Sequence, residues 1–250
     1  MTGDRAQRLA PLPDDRFRFE CGPHVPCFNA CCAHLNLALT PYDIVRLSRS
    51  LGMTTSDFLD EHTTGVEESG RLPRVHLFMR ESDGRCPFVG ESGCSVYADR
   101  PGACRTYPLA RASSRGAPGS GPRVACFLLR EDHCLGHESS REWTVDQWIA
   151  DQEIARHIEL NDLWMEVVTR QAEVLAGQGA DQKVAMFNLA SYDLDAFRRF
   201  VLKGGLLSRI SVPESVVRKL ETDDVHLLRF ASAWLKLALF GELTPGLTRT

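Results

Sequence analysis

Four of the nine cysteines in this 250-residue chain lie in one short stretch, FECGPHVPCFNACC at 19–32, which closes on the adjacent pair Cys31–Cys32. These four are Cys21, Cys27, Cys31 and Cys32; the rest are Cys86, Cys94, Cys104, Cys126 and Cys134. A buried structural cysteine behaves as one small hydrophobe among many, so a core has no reason to crowd thiols in this way. Thiolates drawn from several segments are what a soft metal ion or an iron–sulfur cluster takes as ligands. The pattern predicts a metal site.

Spacing narrows the choice. Cys27 and Cys31 are four apart, so on a helical turn both sulfurs project from one face, while Cys32 points about 100° away. One metal can take Cys27 and Cys31, which leaves Cys32 for a second metal, a core position or a redox role. Nine thiols could serve two four-cysteine sites with one left over, or one site with structural spares. No C-x-x-C occurs, which excludes paired zinc knuckles and thioredoxin-type redox motifs. The ferredoxin run C-x2-C-x2-C-x3-C, the radical-enzyme C-x3-C-x2-C, H-E-x-x-H and the P-loop are absent as well. Gly204-Gly205 follows a helical pattern and not a strand, so it lacks the context of a nucleotide-binding turn.

Zinc sites commonly take two ligands from a short knuckle at each end, and only Cys27-x3-Cys31 fits that range. Single cysteines separated by seven or nine intervening residues suit a bulkier cluster whose iron corners can be reached from separate loops. The expected cofactor is therefore an iron–sulfur cluster, 4Fe-4S favoured, with zinc as the alternative.

Other polar residues have plainer readings. His24, His34, His133 and His137 lie near cysteines and could be ligands or donors behind them, but surface or capping positions suit them better. Arg100 and Arg105 flank Cys104 and either stabilise its thiolate by charge or pair with Asp43 or Asp99. Trp143, Trp148, Trp164 and Trp234 sit at helix-compatible positions and read as packing residues.

The elements that must position the thiols follow from local signals. Residues 1–16 form a Pro- and charge-rich lead with little to bury. Thr40-Pro41-Tyr42-Asp43 opens a helix, with Ile44, Val45, Leu47 and Leu51 on its apolar side and Gly52 as its stop. Ser56 is placed to cap a second helix, DFLDEH. RVHLFM, 74–79, reads as a strand, and Cys86–Val89 and Cys94–Tyr97 as two arms around a turn at 90–93. Arg100-Pro101 starts a short helix carrying Cys104. Residues 111–122 have loop composition, and RVACFLL, 123–129, reads as a returning strand containing Cys126.

From Arg141 the pattern turns helical. Thr144 and Gln147 form a capping box for a long helix broken near Asp151. Helices follow at 183–190 and 194–203, another opens at Pro213, and Thr222 caps the last, which Gly241 ends. The fold class is α+β: a lead at 1–16, a cysteine-cluster metal-binding domain at 17–140 and a helical domain at 141–250.

Composition limits the partners. Hydrophobic content of 43% and charged content of 25% are those of an ordinary globular protein. The net charge of −4, with no clustered Lys or Arg, predicts no nucleic-acid surface. The N-terminus has no apolar signal core, and no window of about 18 apolar residues exists, so no membrane segment is expected. The expected location is the cytoplasm, where thiols stay reduced, and an odd cysteine count fits a closed disulfide set poorly. No protein partner is readable.

Three motifs carry a family resemblance. Cys86-Pro87-Phe88, Cys94-x-x-Tyr97 and Arg100-Pro101-x-x-Cys104-Arg105-x-x-Pro108, preceded by F-x-C, the Cys31–Cys32 pair and Asp43-Ile44-x-x-Leu47, resemble the YkgJ-type cysteine-cluster family of zinc- or iron-chelating proteins. The resemblance covers about 19–137. It implies metal binding through Cys27, Cys31, Cys32, Cys86, Cys94 and Cys104, with Cys21, Cys126 and Cys134 secondary. The family's opening is C-x2-C-x2-C-C, whereas this chain has C-x5-C-x3-C-C, which sets Cys21 apart. A related cluster in flagellin lysine N-methylases makes a methyl-transferring metalloenzyme acting on protein lysine the alternative. No catalytic residue is assignable.

Overall fold

The computed structural model describes residues 9–66, 70–114, 123–243 and 248–249. In chain order it begins with strands β1 (Leu9–Pro11) and β2 (Arg16–Arg18), helices α1 (Pro41–Ser50) and α2 (Thr55–His62), and strands β3 (Thr63–Val66) and β4 (Arg74–Leu77). Next come β5 (Val89–Gly90), β6 (Gly93–Cys94), α3 (Gly102–Thr106), β7 (Leu109–Ser114), β8 (Arg123–Leu129) and β9 (Glu142–Thr144). The helical part holds α4 (Val145–Asp151), α5 (Ala155–Val168), α6 (Gln171–Leu175), α7 (Ala180–Ser191) and α8 (Leu194–Lys203). It ends with β10 (Ile210–Ser211), α9 (Glu214–Thr222), α10 (Asp224–Phe240) and β11 (Thr248–Arg249). The protein is α+β, with small antiparallel sheets mostly early and helices mostly late.

Contacts divide the chain into two compact units. The first holds the chain to Leu37 together with Phe78–Ile158; the second holds Ala38–Leu77 and the chain from Glu159. All nine cysteines belong to the first unit.

The first unit is built on short pairings. A three-stranded antiparallel sheet runs β1-β8-β7, and β2 pairs with β9 so that Phe17 lies opposite Trp143. Phe17, Phe19, Leu109, Leu128, Trp143, Trp148 and Ile154 form its buried core. Trp148 receives Phe17, Phe19 and Trp143 edge-on at ring separations of 5.8, 5.6 and 5.1 Å, the arrangement the ring quadrupoles favour. The Trp143 indole N–H donates to the Phe19 carbonyl at 2.9 Å, and that of Trp148 to Thr106 at 3.1 Å, so neither buried donor is orphaned. Thr144 caps α4 in the predicted box: its hydroxyl accepts from the Gln147 amide, and Gln147 Oε1 accepts from the Thr144 amide. The helix stops at Asp151, and α5 starts at Ala155 after Glu153 adopts a left-handed φ of 53°.

Two expectations in this unit change. The lead was read as having little to bury, yet Leu9–Pro11 adds a strand to β8, and Ala10 and Leu12 pack on the core. Backbone pairing to an open strand edge needs no apolar run in the added segment. Of the stretch read as a loop, Arg111–Ser114 continues β7 opposite β8; residues 115–122 lie outside the described residues.

The second unit is dominated by α7, α8 and α10. Phe187, Phe197, Leu194, Val201, Leu220 and Leu227 are fully buried, and Phe197 lies 5.3 Å from the Trp234 ring. Helix α1 forms behind the predicted Thr40–Asp43 capping box, with Pro41 in its first turn. Thr54, and not Ser56, caps α2; the Ser56 hydroxyl instead donates to Asp193 at 2.8 Å. Asp223, and not Thr222, caps α10, accepting from the His226 amide at 3.0 Å. Among the described residues no helix is long and apolar enough to cross a membrane.

Candidate metal centre

The 22–32 stretch closes in successive tight turns. Val25 bonds back to Gly22, Phe28 to Val25, Ala30 to Cys27 and Cys32 to Asn29, each at 2.9–3.1 Å. The expected helical turn is therefore a chain of three-residue steps, ending in a 3-10 turn at Ala30–Cys32 behind a left-handed Asn29 (φ 65°). In a 3-10 turn each residue advances about 120° around the axis, yet the Cys31 and Cys32 side chains turn toward each other and share a hydrogen bond. Their sulfurs stand 4.0 Å apart.

Two sets of backbone bonds bring distant segments to this pair. On one side, Ala33 pairs with Arg85, the His34 amide donates to Gly84 at 2.7 Å, and the Cys86 amide donates to the Cys32 carbonyl at 2.8 Å. Gly84 has a φ of +67°, and its open face lies under the His34 ring, so a Cβ there would strike the imidazole. The β5–β6 pairing sets Cys94 opposite Val89, and the Val89 amide bonds back to the Cys86 carbonyl at 3.2 Å. Cys104 rides on α3. Buried Arg105 fixes that helix through the carbonyls of Ala98, Arg100 and Gln152.

On the other side, the Glu20 amide donates to Gly136 and the Phe19 amide to Arg141, both at 3.0 Å. Gly136 is required here, because a Cβ would fall 2.5 Å from the Glu20 carbonyl. The Leu135 amide donates to Cys27 Sγ at 3.2 Å, which sets Cys27 beside the Cys134–Leu135 step. Tyr107 packs on the core beside Cys134, and its buried hydroxyl finds no hydrogen-bond partner of good geometry.

Electrostatic neighbourhoods follow these pairings. Burial pushes the Cys21 thiol up to about 11, helped by Cys31, Cys134 and Cys27 and opposed by Arg100. Cys134 is raised by burial, with Tyr107 and the Gly136 amide opposing and Cys27 and Cys31 adding to it. The hydrogen bond shared by the pair raises Cys31 and lowers Cys32; burial, Cys104, Cys86 and Cys94 work against that lowering. Burial also raises Cys86 and Cys94, with Cys94 acting on Cys86 and Arg100 opposing at Cys94. Cys21, Cys27, Cys31 and Cys134 thus influence one another, as do Cys32, Cys86, Cys94 and Cys104, and the Cys31–Cys32 contact joins the two neighbourhoods. Cys126 lies on β8 opposite Arg111; burial raises it, and its charged neighbours are Arg111 and Asp15.

Among the described residues no three His, Cys, Asp or Glu side chains meet at single-ion spacing. The histidines near the cysteines are otherwise engaged: His24 pairs with Glu20 at 3.3 Å and His133 with Glu131 at 3.7 Å, while His34 covers Gly84. His137 lies edge-on to Phe19, its ring nitrogens shielded and without hydrogen-bond partners. The Arg100 guanidinium serves the Tyr97 carbonyl and Gln152, and it stacks on the Tyr97 ring at 3.9 Å. Asp43 is used in the cap of α1. Sequence reasoning overlooked Tyr107, whose position beside Cys134 depends on folding of the core and leaves no signature in spacing.

All-thiolate groups held by backbone pairings define a cysteine-cluster domain suited to a soft metal. Residues 20–135 match the family model CxxCxxCC, described as "Putative zinc- or iron-chelating domain". Searches of curated proteins and of solved structures found no match.

Proposed function

We propose that the protein binds an iron–sulfur cluster of the 4Fe-4S type through these cysteines. The observation that carries this reading is the gathering of sulfurs from the 21–32 stretch, Cys86, Cys94, Cys104 and Cys134 within one unit. Buried thiols raised by burial and by one another carry negative charge only when a cation offsets it, and a metal centre supplies that cation. The donor set fits: it is soft and thiolate-only, and the Tyr107 hydroxyl lies beside Cys134. The Leu135 amide at Cys27 Sγ is a second donor that would stabilise a ligating sulfur.

When bound, such a cluster supplies one-electron redox chemistry or a cross-link between loops. The chain's own part is to hold the sulfurs on the 22–32 turns, the β5–β6 hairpin and α3, and to surround them with amide and phenol donors. Zinc is the second reading, favoured by the short Cys27-x3-Cys31 step. The sites belong with a reducing compartment, consistent with cytoplasmic residence. The methyl-transferring enzyme reading needs a cosubstrate pocket. A cavity of about 250 Å³ lies within the second unit, lined mainly by apolar groups including Leu39, Trp164, Val168 and Phe187, and it offers no recognisable cosubstrate chemistry.

Protein purified without oxygen is expected to be brown, with iron and acid-labile sulfide in equal amounts. A colourless preparation with stoichiometric zinc and no sulfide would overturn the cluster while keeping the thiolate site. Protein free of metal after anaerobic purification from metal-replete cells would overturn both.

A further inference from the structure

We propose that Cys31 and Cys32 are a site of reversible oxidative modification, at which hydrogen peroxide closes the two thiols into a disulfide between adjacent residues. The modification stands on the contact between the two side chains. Its consequence, that the oxidised chain takes up less metal, rests on the metal-binding reading above.

The two sulfurs stand 4.0 Å apart and share a hydrogen bond across a single peptide bond. A disulfide holds its sulfurs at about 2.05 Å, so rotation of the two side chains with a small adjustment of one turn closes the gap. No distant segment has to be brought in, because both residues belong to the 3-10 turn Ala30–Cys32. That turn is fixed beside the pair: the Cys32 amide donates to the Asn29 carbonyl at 3.1 Å, and the Cys32 carbonyl accepts from the Cys86 amide at 2.8 Å. Both thiols are half-buried, which leaves them open to a small oxidant. The nearby Cys27 is occupied differently, its sulfur accepting from the Leu135 amide at 3.2 Å. Across a trans peptide adjacent Cα atoms are about 3.8 Å apart, short of the roughly 4.4–6.8 Å that disulfides usually span. A bond formed outside its preferred geometry is readily reduced, so ordinary thiols reverse the modification. It also closes no loop of chain and adds little stability of its own.

The chemistry balances on two thiols and one peroxide. One sulfur attacks a peroxide oxygen, the O–O bond breaks, and a sulfenic acid forms as water leaves. The neighbouring sulfur then attacks the sulfenic sulfur. The S–O bond breaks, the S–S bond forms, and the departing hydroxide takes the second thiol's proton to leave as water. The thiols give up two electrons, and peroxide is reduced to two waters. A disulfide has no thiolate to offer a soft metal, so oxidation withdraws two donors at once from the crowded 21–32 stretch. Metal loading and oxidation therefore compete for the same sulfurs.

The test treats the full-length chain, as isolated without oxygen and again after chelation, with limiting hydrogen peroxide. Remaining thiols are then alkylated and the digested chain is read by mass spectrometry. A loss of about 2 Da, the two thiol hydrogens, is expected on the peptide holding the 21–32 stretch. Fragmentation should place it on Cys31 and Cys32, with Cys21 and Cys27 alkylated, and the chelated chain should react faster. A small monothiol should restore both thiols. Cross-links from Cys31 or Cys32 to other cysteines, or sulfinic acid at either without the cross-link, would overturn the proposal. So would thiols at 31 and 32 that stay alkylatable while other cysteines oxidise. In urea the cross-links should spread over other pairs; equal selectivity there would show that the folded contact is not the cause. Reconstitution with zinc, or with ferrous iron and sulfide, separates the two readings. The oxidised chain should take up less metal than the reduced chain and recover after thiol treatment. Equal uptake by both forms would overturn the control of loading. No uptake by either would overturn the metal-binding reading and leave the modification standing.

Discussion

The two units solve the problem of buried charge differently. In the second, Arg49 and Arg198 alternate with Asp195 and Asp224. Arg49 reaches Asp195 at 2.7 Å and Asp224 at 2.9 Å; Arg198 reaches Asp195 at 3.0 Å and also contacts Asp224. The Thr55 amide adds a further bond to Asp195 at 2.8 Å. Every charge in that group meets an opposite one from the same chain. In the first unit the dominant ionisable groups are thiols that burial and mutual repulsion push up, with Arg100 as a modest counterweight at Cys21 and Cys94. The second unit completes its electrostatics internally, whereas the raised thiols of the first stay protonated until a cation offsets their charge. On the proposed reading, a unit that the chain alone can stabilise is separated from one expected to depend on what it binds.

Metal removal should separate them most. The apparent binding free energy of a structural metal in a small thiolate site is of order 10 kcal/mol, comparable with the whole stability of a domain. After anaerobic treatment with a strong chelator, hydrogen exchange should accelerate throughout the 19–37 and 84–138 segments. Helices α7, α8 and α10 should retain their protection, because their core of Phe187, Phe197, Leu227 and Trp234 involves no cysteine. Equal loss of protection in both units, or none in either after demonstrated metal loss, would break the comparison.

Asp195→Asn tests the second unit's own device and should cost about 2 kcal/mol at neutral pH, since it leaves two guanidinium groups short of a counter-charge. Burial alone would raise this carboxyl, but the hydrogen bonds from Arg49 and the Thr55 amide, with the charges of Arg49 and Arg198, hold it down at about 2. A folded-state value below the usual 3.8 means the stabilisation is fully present above pH 4 and is lost as the pH falls toward 2. Urea unfolding followed at pH 7, 5 and 3 should therefore show the deficit of the variant shrinking only at the lowest pH. A deficit independent of pH would show that the charge is not its source.

Local signals explain what was legible in the sequence. The capping boxes at Thr40 and Thr144 and the bounds of α8 at Leu194 and Lys203 could be read because each is fixed within one helical turn. The cap of α2 was misplaced because Thr54 and Ser56 are both good caps locally. What decides between them is Asp193, 137 residues away, which takes the Ser56 hydroxyl. The same limit applies to the thiols. Their number and crowding announced a metal site, but the partners of Cys31 and Cys32 are set by pairings of residue 33 with 85 and of residue 20 with 136. No spacing along the chain encodes those pairings. Cys21 and Cys134, ranked behind the others from motif spacing, are brought beside Cys27 by them.

The smallest effect should come from Thr144→Ala, which probes whether any part of the first unit is stable on local terms. Thr144 accepts from the Gln147 amide at 3.1 Å and its own amide donates to Gln147 Oε1 at 2.9 Å, so the substitution removes the hydroxyl's half of the box and leaves the glutamine's half. Loss of such a cap costs about 1 kcal/mol. The helix it starts carries Trp148, the centre of the aromatic core, and none of its residues is a thiol. The expected result is a destabilisation of about that size in metal-loaded protein, with metal content unchanged. A drop in bound metal would mean that the core under Trp148 and the sulfur sites are one cooperative structure, and that the first unit depends on its metal down to the helix most distant in sequence from the crowded 21–32 stretch.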